Sequence, residues 1–210
     1  MPALRLPLSV LLIAAACVAA ELALLGADFG LWGPVEWRPA AYFYGAFWRG
    51  LLFGWRPNFP LQPWTMFVTY AFLHAGFMHL LVNVVTLASL GAALVARAGE
   101  RRFLVIYAVS VVSGGVGFAF LSDAIRPMVG ASGALFGLAG AWVVWDVADT
   151  VSARVGPARL AVAILWPIGV LTLMNVVMYA ATGGLLAWET HLGGFLGGAA
   201  VALVMLRRAP

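Results

Sequence analysis

The sequence predicts an all-α polytopic membrane protein: six transmembrane helices in one bundle, with a long external loop after the first. Three observations predict it. Of the 210 residues, 64% are hydrophobic and only 10% charged, against about 25% charged in a soluble domain, and the mean hydropathy is +1.00. The apolar residues gather into six segments, close to the ~20 residues that a helix needs to cross hydrocarbon. Short breaks between the later segments hold half of the arginines.

The segments run near Leu6–Leu25, Phe77–Ala96, Phe103–Leu121, Ser132–Ala148, Leu160–Ala181 and His191–Leu206. Arg5 and the small residues Val18-Ala19-Ala20 give the first some features of a cleaved signal peptide. Its apolar character resumes after Glu21 and reaches Leu25, beyond the roughly 7–15 residues of a signal core, so a retained span is expected. The long loop that follows, 26–76, is dense between Ala27 and Gln62 in Trp32, Trp37, Trp48 and Trp55, and in Arg38, Arg49 and Arg56. Such density belongs to a membrane–water interface. Breaks at 97–102, 122–131, 149–159 and 182–190 separate the other spans. No repeat or low-complexity tract appears, so residues 1–210 are expected to form a single membrane-embedded domain.

Every basic residue is an arginine. With the N-terminus inside, Arg5, Arg97, Arg101, Arg102, Arg154, Arg159, Arg207 and Arg208 are cytoplasmic, while Arg38, Arg49, Arg56 and Arg126 fall outside. That asymmetry follows the positive-inside rule and predicts both termini in the cytoplasm. The isoelectric point near 9.8 therefore reflects topology, and no nucleic-acid partner is expected from arginines this scattered. Cys17 is alone in an apolar run, which excludes a disulfide framework and a cysteine metal site.

In this orientation spans two, four and six all start at the outer face. Each carries its unusual polar residues in its first turns: His79 and Asn83, Ser132, and His191. At about 1.5 Å per residue they share a similar depth. Polar groups are costly in hydrocarbon unless partnered, so four in one layer point to a site. The types present are a nucleophile, a base and hydrogen-bond donors.

Ser132 lies in Gly130-Ala131-Ser132-Gly133. Flanking glycines allow close backbone approach, and a helix N-terminus favours developing negative charge. The plainer reading is a small residue at a helix crossing, since Gly133 and Gly137 make a small-xxx-small pair. Gly194, Gly198 and Ala202 share the face of His191, and Ser132, Phe136, Ala139 and Gly140 share one face of span four. Two such smooth faces crossing would bring Ser132 within reach of His191 as general base. His79 and Asn83, at i and i+4, are either interhelical hydrogen-bonding residues or donors to an oxyanion. A zinc site wants more ligands than this, and no HExxH pattern occurs, so no metal is expected. His74 precedes the span and reads as a loop-organising residue. No acid completes a triad: Asp146 and Asp149 lie at the inner end of span four, Asp123 lies in an outer loop, and Glu189 would face away from His191. A Ser–His dyad is the economical arrangement.

At these residues the chain resembles the rhomboid family of intramembrane serine proteases. The motifs that carry the resemblance are His74-Ala75-Gly76-Phe77-Met78-His79-Leu80-Leu81-Val82-Asn83, Gly130-Ala131-Ser132-Gly133, and His191-Leu192-Gly193-Gly194 with Gly198. Their order and their placement on spans two, four and six make the combination specific, from roughly Gln62 onward. The resemblance implies a rhomboid-like bundle with Ser132 as nucleophile and His191 as general base. It implies an oxyanion site of Asn83, His79 and the Ser132 backbone N–H, with Phe136 packing on the base. The Gly194/Gly198 strip matches the close crossing of spans four and six. No cofactor is expected, and the partners are transmembrane protein substrates within the lipid bilayer. The expected location is a bacterial inner membrane, with gating by span five and the last loop.

Three positions depart from the family pattern. Thr65 follows Trp64 where arginine is frequent, Val95 stands where a glutamate is common, and Thr190 replaces a frequent alanine before the base. They bear on loop anchoring and stability more than on chemistry. A client-binding rhomboid-like protein without proteolysis is the alternative function, but such relatives typically lack the serine or the histidine. A small transporter is the other; it would carry midplane charges and internal repeats.

Overall fold

A computed structural model describes residues 6–207, so Arg5 and Arg208 of the charge argument lie outside the described residues. Nine α-helices are described: α1 Leu8–Asp28, α2 Trp37–Gly45, α3 Gln62–Thr69, α4 Phe77–Thr86, α5 Ala92–Ala98, α6 Glu100–Leu121, α7 Ser132–Ser152, α8 Pro157–Ala181 and α9 Trp188–Arg207. A π-helical turn at Leu87–Gly91 joins α4 to α5, so Phe77–Ala98 is one continuous span. Among the described residues, six helices are long and apolar enough to cross a membrane.

These spans run past the apolar segments of the sequence. α6 already begins at Glu100 and includes Arg101 and Arg102; α9 begins at Trp188 and takes in Glu189 and Thr190. Hydropathy marks only the part that hydrocarbon requires to be apolar. The backbone keeps its own hydrogen bonds beyond that point while charged ends reach the interface.

Three helices make the centre. α9 packs against α7 and α6, and α6 against α7. Glycine permits this on two faces of α9. A methyl group at Gly194 or Gly198 would overlap the carbonyl oxygens of Gly133 and Gly137 on α7. On the adjoining face, a Cβ at Gly193 would stand 2.9 Å from Gly117 Cα on α6, and one at Gly197 would overlap the Ser113 side chain. Backbone contact of this kind is how helices associate where lipid offers no hydrophobic drive. The sequence expected Ser132, Phe136, Ala139 and Gly140 as the crossing face of span four. The structure instead sets Gly133, Gly137 and Gly140 against α9, with Ser132 and Phe136 turned toward His191.

The outer spans are tied in by polar contacts. The Glu100 carboxylate accepts from the N–H groups of Leu8 and Ser9 at the start of α1. At the same end Arg97 pairs with Asp149 at 2.8 Å, linking α5 to α7. α8 is different: it packs on α7, and Ala163 is its one buried residue.

The first loop is built of short helices at the bundle's other end. Many of its large apolar side chains are exposed, among them Trp32, Trp37, Phe43, Tyr44, Phe53, Trp55 and Trp64, as an interfacial segment requires. Its anchor is Arg38, with Thr65 holding only its own helix through the Leu61 carbonyl. Arg38 pairs with Asp28 at 2.6 Å and with the fully buried Glu21 of α1 at 2.9 Å, and it donates to the His74 carbonyl. These carboxylates hold the Arg38 guanidinium's pKa above its ordinary value against the opposing effect of burial, the larger single influence. Tyr42, its hydroxyl pKa raised by burial, donates to the same carbonyl at 2.7 Å. Phe47 and Met128 exchange backbone hydrogen bonds, fixing the loop beside the segment that leads into α7.

Candidate active site

Ser132 is the first residue of α7 and His191 stands in the first turn of α9. Their helices cross on glycine, and the two side chains meet: His191 Nε2 lies 2.8 Å from Ser132 Oγ. His191 is buried, 6% exposed. The Phe136 ring, one turn along α7, stacks face to face on the imidazole.

The loop before Ser132 is shaped by one residue. Gly130 has φ of +125°, a conformation that side chains rarely adopt, and its N–H donates to the Tyr70 carbonyl at 3.0 Å. Space makes the same demand. A Cβ there would stand 2.8 Å from His79 Nε2 and 3.6 Å from Asn83 Nδ2. The polar pair of α4 is thereby placed against the backbone two residues before Ser132. All four polar residues of the predicted layer come together at one end of the bundle.

Their hydrogen bonds fix what each presents. His79 Nδ1 accepts from the Ala75 N–H at 3.2 Å, so in the neutral ring Nε2 carries the proton, on the side of Gly130. Asn83 Nδ2 is buried and has no partner among the described residues. An unpaired buried donor costs about 1–3 kcal/mol, so this amide is held ready for an acceptor. The first N–H groups of a helix likewise lack an intrahelical acceptor, and Ser132 heads α7. Two side-chain donors thus stand beside Gly130, and the Ser132 N–H heads α7 two residues later.

His74 organises the loop through its backbone, since its carbonyl takes the Arg38 and Tyr42 bonds. Its ring is fully buried, 5.2 Å from that of His79. Burial, and then the neighbouring His79, push its pKa down to about 4, so it is neutral at physiological pH. Tyr70, whose hydroxyl donates to the Val111 carbonyl, sits beneath the site, and burial pushes its pKa up. Thr190, beside the base, packs its hydroxyl against Gly114 and Gly133, which accounts for a residue larger than alanine being accommodated there.

One residue of the site is absent from the sequence analysis. Asn175, on α8, lies with Oδ1 2.6 Å from His191 Nδ1. Its signal was available: it is the one amide in the fifth span.

The family model for the Rhomboid domain matches residues 60–208, the stretch that carries every residue of this site. Among curated proteins, RHOMBOID-like protein 7 of Arabidopsis thaliana is 35% identical over 151 residues, 69% of this chain and 44% of its own. Rhomboid-like protease 3 of Toxoplasma gondii is 32% identical over 67% of this chain and 51% of its own. Rhomboid protease GluP of Bacillus subtilis is 38% identical over 37% of this chain and 15% of its own. The chain spans about half the length, or less, of the curated relatives it matches. With the matched stretch covering five of six spans and the whole of the polar layer, this multi-pass membrane protein belongs to the rhomboid family.

Proposed function

We propose that the protein is an intramembrane serine endopeptidase that cleaves transmembrane segments near the outer leaflet with Ser132 as nucleophile and His191 as general base. The observation that carries the reading is the 2.8 Å contact between Ser132 Oγ and His191 Nε2 in a layer that hydropathy assigns to the membrane. A polar pair has no structural need to be placed there, and both residue types are those of nucleophilic catalysis.

The chemistry follows from the geometry. Ser132 Oγ attacks the scissile carbonyl carbon as its proton passes to His191 Nε2. The oxyanion that forms accepts from Asn83 Nδ2, His79 Nε2–H and the Ser132 backbone N–H in this reading. The imidazolium then protonates the leaving amine, and the C–N bond breaks to leave an acyl-enzyme. Water, deprotonated by the same imidazole, attacks that ester; the C–Oγ bond breaks to release the acid, and the imidazolium returns the proton to Ser132 Oγ. A helical substrate hides its carbonyls in its own hydrogen bonds, so it must unwind before it can react, most readily at small or helix-breaking residues.

The arginine distribution supports an N-in, C-in topology with this site on the outer side; a bacterial inner membrane is the setting that goes with this reading. The direct test is labelling of the detergent-purified protein with a fluorescent fluorophosphonate. Labelling of the wild type, lost in Ser132→Ala and in His191→Ala, is the expected result. A folded wild type that neither labels nor cleaves a transmembrane substrate overturns the reading in favour of client binding.

A further inference from the structure

Asn175 makes two side-chain hydrogen bonds, and the first determines the second. Its Nδ2 donates to the Leu171 carbonyl at 2.9 Å. With the amino group turned there, the atom presented to His191 is the amide oxygen, 2.6 Å from Nδ1. A carbonyl oxygen only accepts. His191 Nδ1 must then carry the proton, which leaves Nε2 of the neutral ring as the acceptor for Ser132 Oγ–H. The other tautomer would set a ring lone pair against the amide oxygen and an N–H against the serine hydroxyl, and could not take the serine's proton.

We infer that Asn175 is a positioning residue that holds His191 in the tautomer the reaction needs; the inference rests on the Ser132–His191 reading above. When Nε2 receives the proton, the amide oxygen still accepts from Nδ1–H and favours the imidazolium. Phe136 restrains the tilt of the ring, while Asn175 decides which nitrogen faces the serine. The reacting unit is therefore spread over α7, α8 and α9. A residue that merely tied α8 to α9 would leave the tautomer indifferent to its chemistry.

The test uses full-length protein labelled with [15N]histidine in detergent, with His191→Phe to assign the His191 resonances. In the wild type His191 should be protonated at Nδ1 and bare at Nε2. Asn175→Leu keeps the volume and removes the acceptor, and should give a mixture of tautomers. Asn175→Asp restores an acceptor and should restore the Nδ1–H form.

Fluorophosphonate labelling supplies the functional readout. Forcing the wrong tautomer in a serine protease costs about 10⁴ in kcat, but a ring freed to choose loses less. Labelling of Asn175→Leu should therefore slow by roughly 10- to 100-fold, and Asn175→Asp should recover most of that. A wild-type spectrum protonated at Nε2 overturns the role without any variant, as does an unchanged tautomer or labelling rate in Asn175→Leu. Wild type that labels no faster than Ser132→Ala would instead overturn the protease reading, while the spectra would still decide what Asn175 does to His191.

Discussion

Phe136 lies flat on His191, the ring centroids 4.1 Å apart and the planes 3° from parallel. Stacking of this kind is worth about 0.5–1.5 kcal/mol beyond buried area, enough to hold the imidazole in one plane between Ser132 and Asn175. Phe136→Ala should lower the second-order rate of fluorophosphonate labelling by about tenfold, and Phe136→Tyr should leave it near wild type. Equal rates in all three proteins would show that the ring needs no such support.

Asn83 offers a different signature, because its buried amino group has no partner to lose. Removing an unpaired donor should leave the thermal midpoint unchanged or raised. The same Asn83→Ala substitution should cut the rate of substrate cleavage by about 10²–10³ if the amide supports the oxyanion. A stable variant with undiminished cleavage would remove Asn83 from the mechanism.

The helix crossing can be tested against a glycine that has no crossing to serve. Gly198→Ala should destabilise by roughly 1–3 kcal/mol or more, since its methyl meets the Gly137 carbonyl on α7. Gly169→Ala, on α8, meets nothing within 4 Å and should be neutral or slightly stabilising. Thermal unfolding in the same detergent compares the two.

His74 gives the stability a pH dependence. Its pKa is held at about 4 in the folded protein, against 6.5 ordinarily, so the unfolded chain binds the extra proton between those values. The contribution is complete above about pH 6.5 and is lost as pH falls toward 4. The midpoint of thermal unfolding should fall across that window in the wild type, and fall less in His74→Gln. Parallel curves for the two proteins would assign the acid sensitivity to another group.

The spans were legible in the sequence because hydrocarbon imposes one simple demand, and the polar layer was legible because three helices that start at the same face carried their polar residues early. Asn175 was not, although a lone amide in an apolar helix is a visible anomaly. Its partner depends on how α8 packs beside α7 and α9, and no spacing along the chain encodes that. Arg38 was visible as one of several interfacial arginines, but its pairing with the buried Glu21 depends on the path of the loop. The faces of α7 were similarly ambiguous: small residues surround much of the helix, and only the crossing itself selects Gly133, Gly137 and Gly140.

The π-helical turn at Leu87–Gly91 adds a constraint of phase to the second span. A turn of this kind amounts to one residue inserted into an α-helix, so the two halves of the span are rotated with respect to each other. The outer half aims His79 and Asn83 at Gly130; the inner half buries Leu94 in the core. Deleting one residue between 87 and 91 would restore regular winding and turn the outer half by about 100° relative to the inner. The span would remain as hydrophobic as before, yet His79 and Asn83, the proposed oxyanion donors, would swing away from Gly130. In this helix, residue count governs chemistry as strictly as residue identity does.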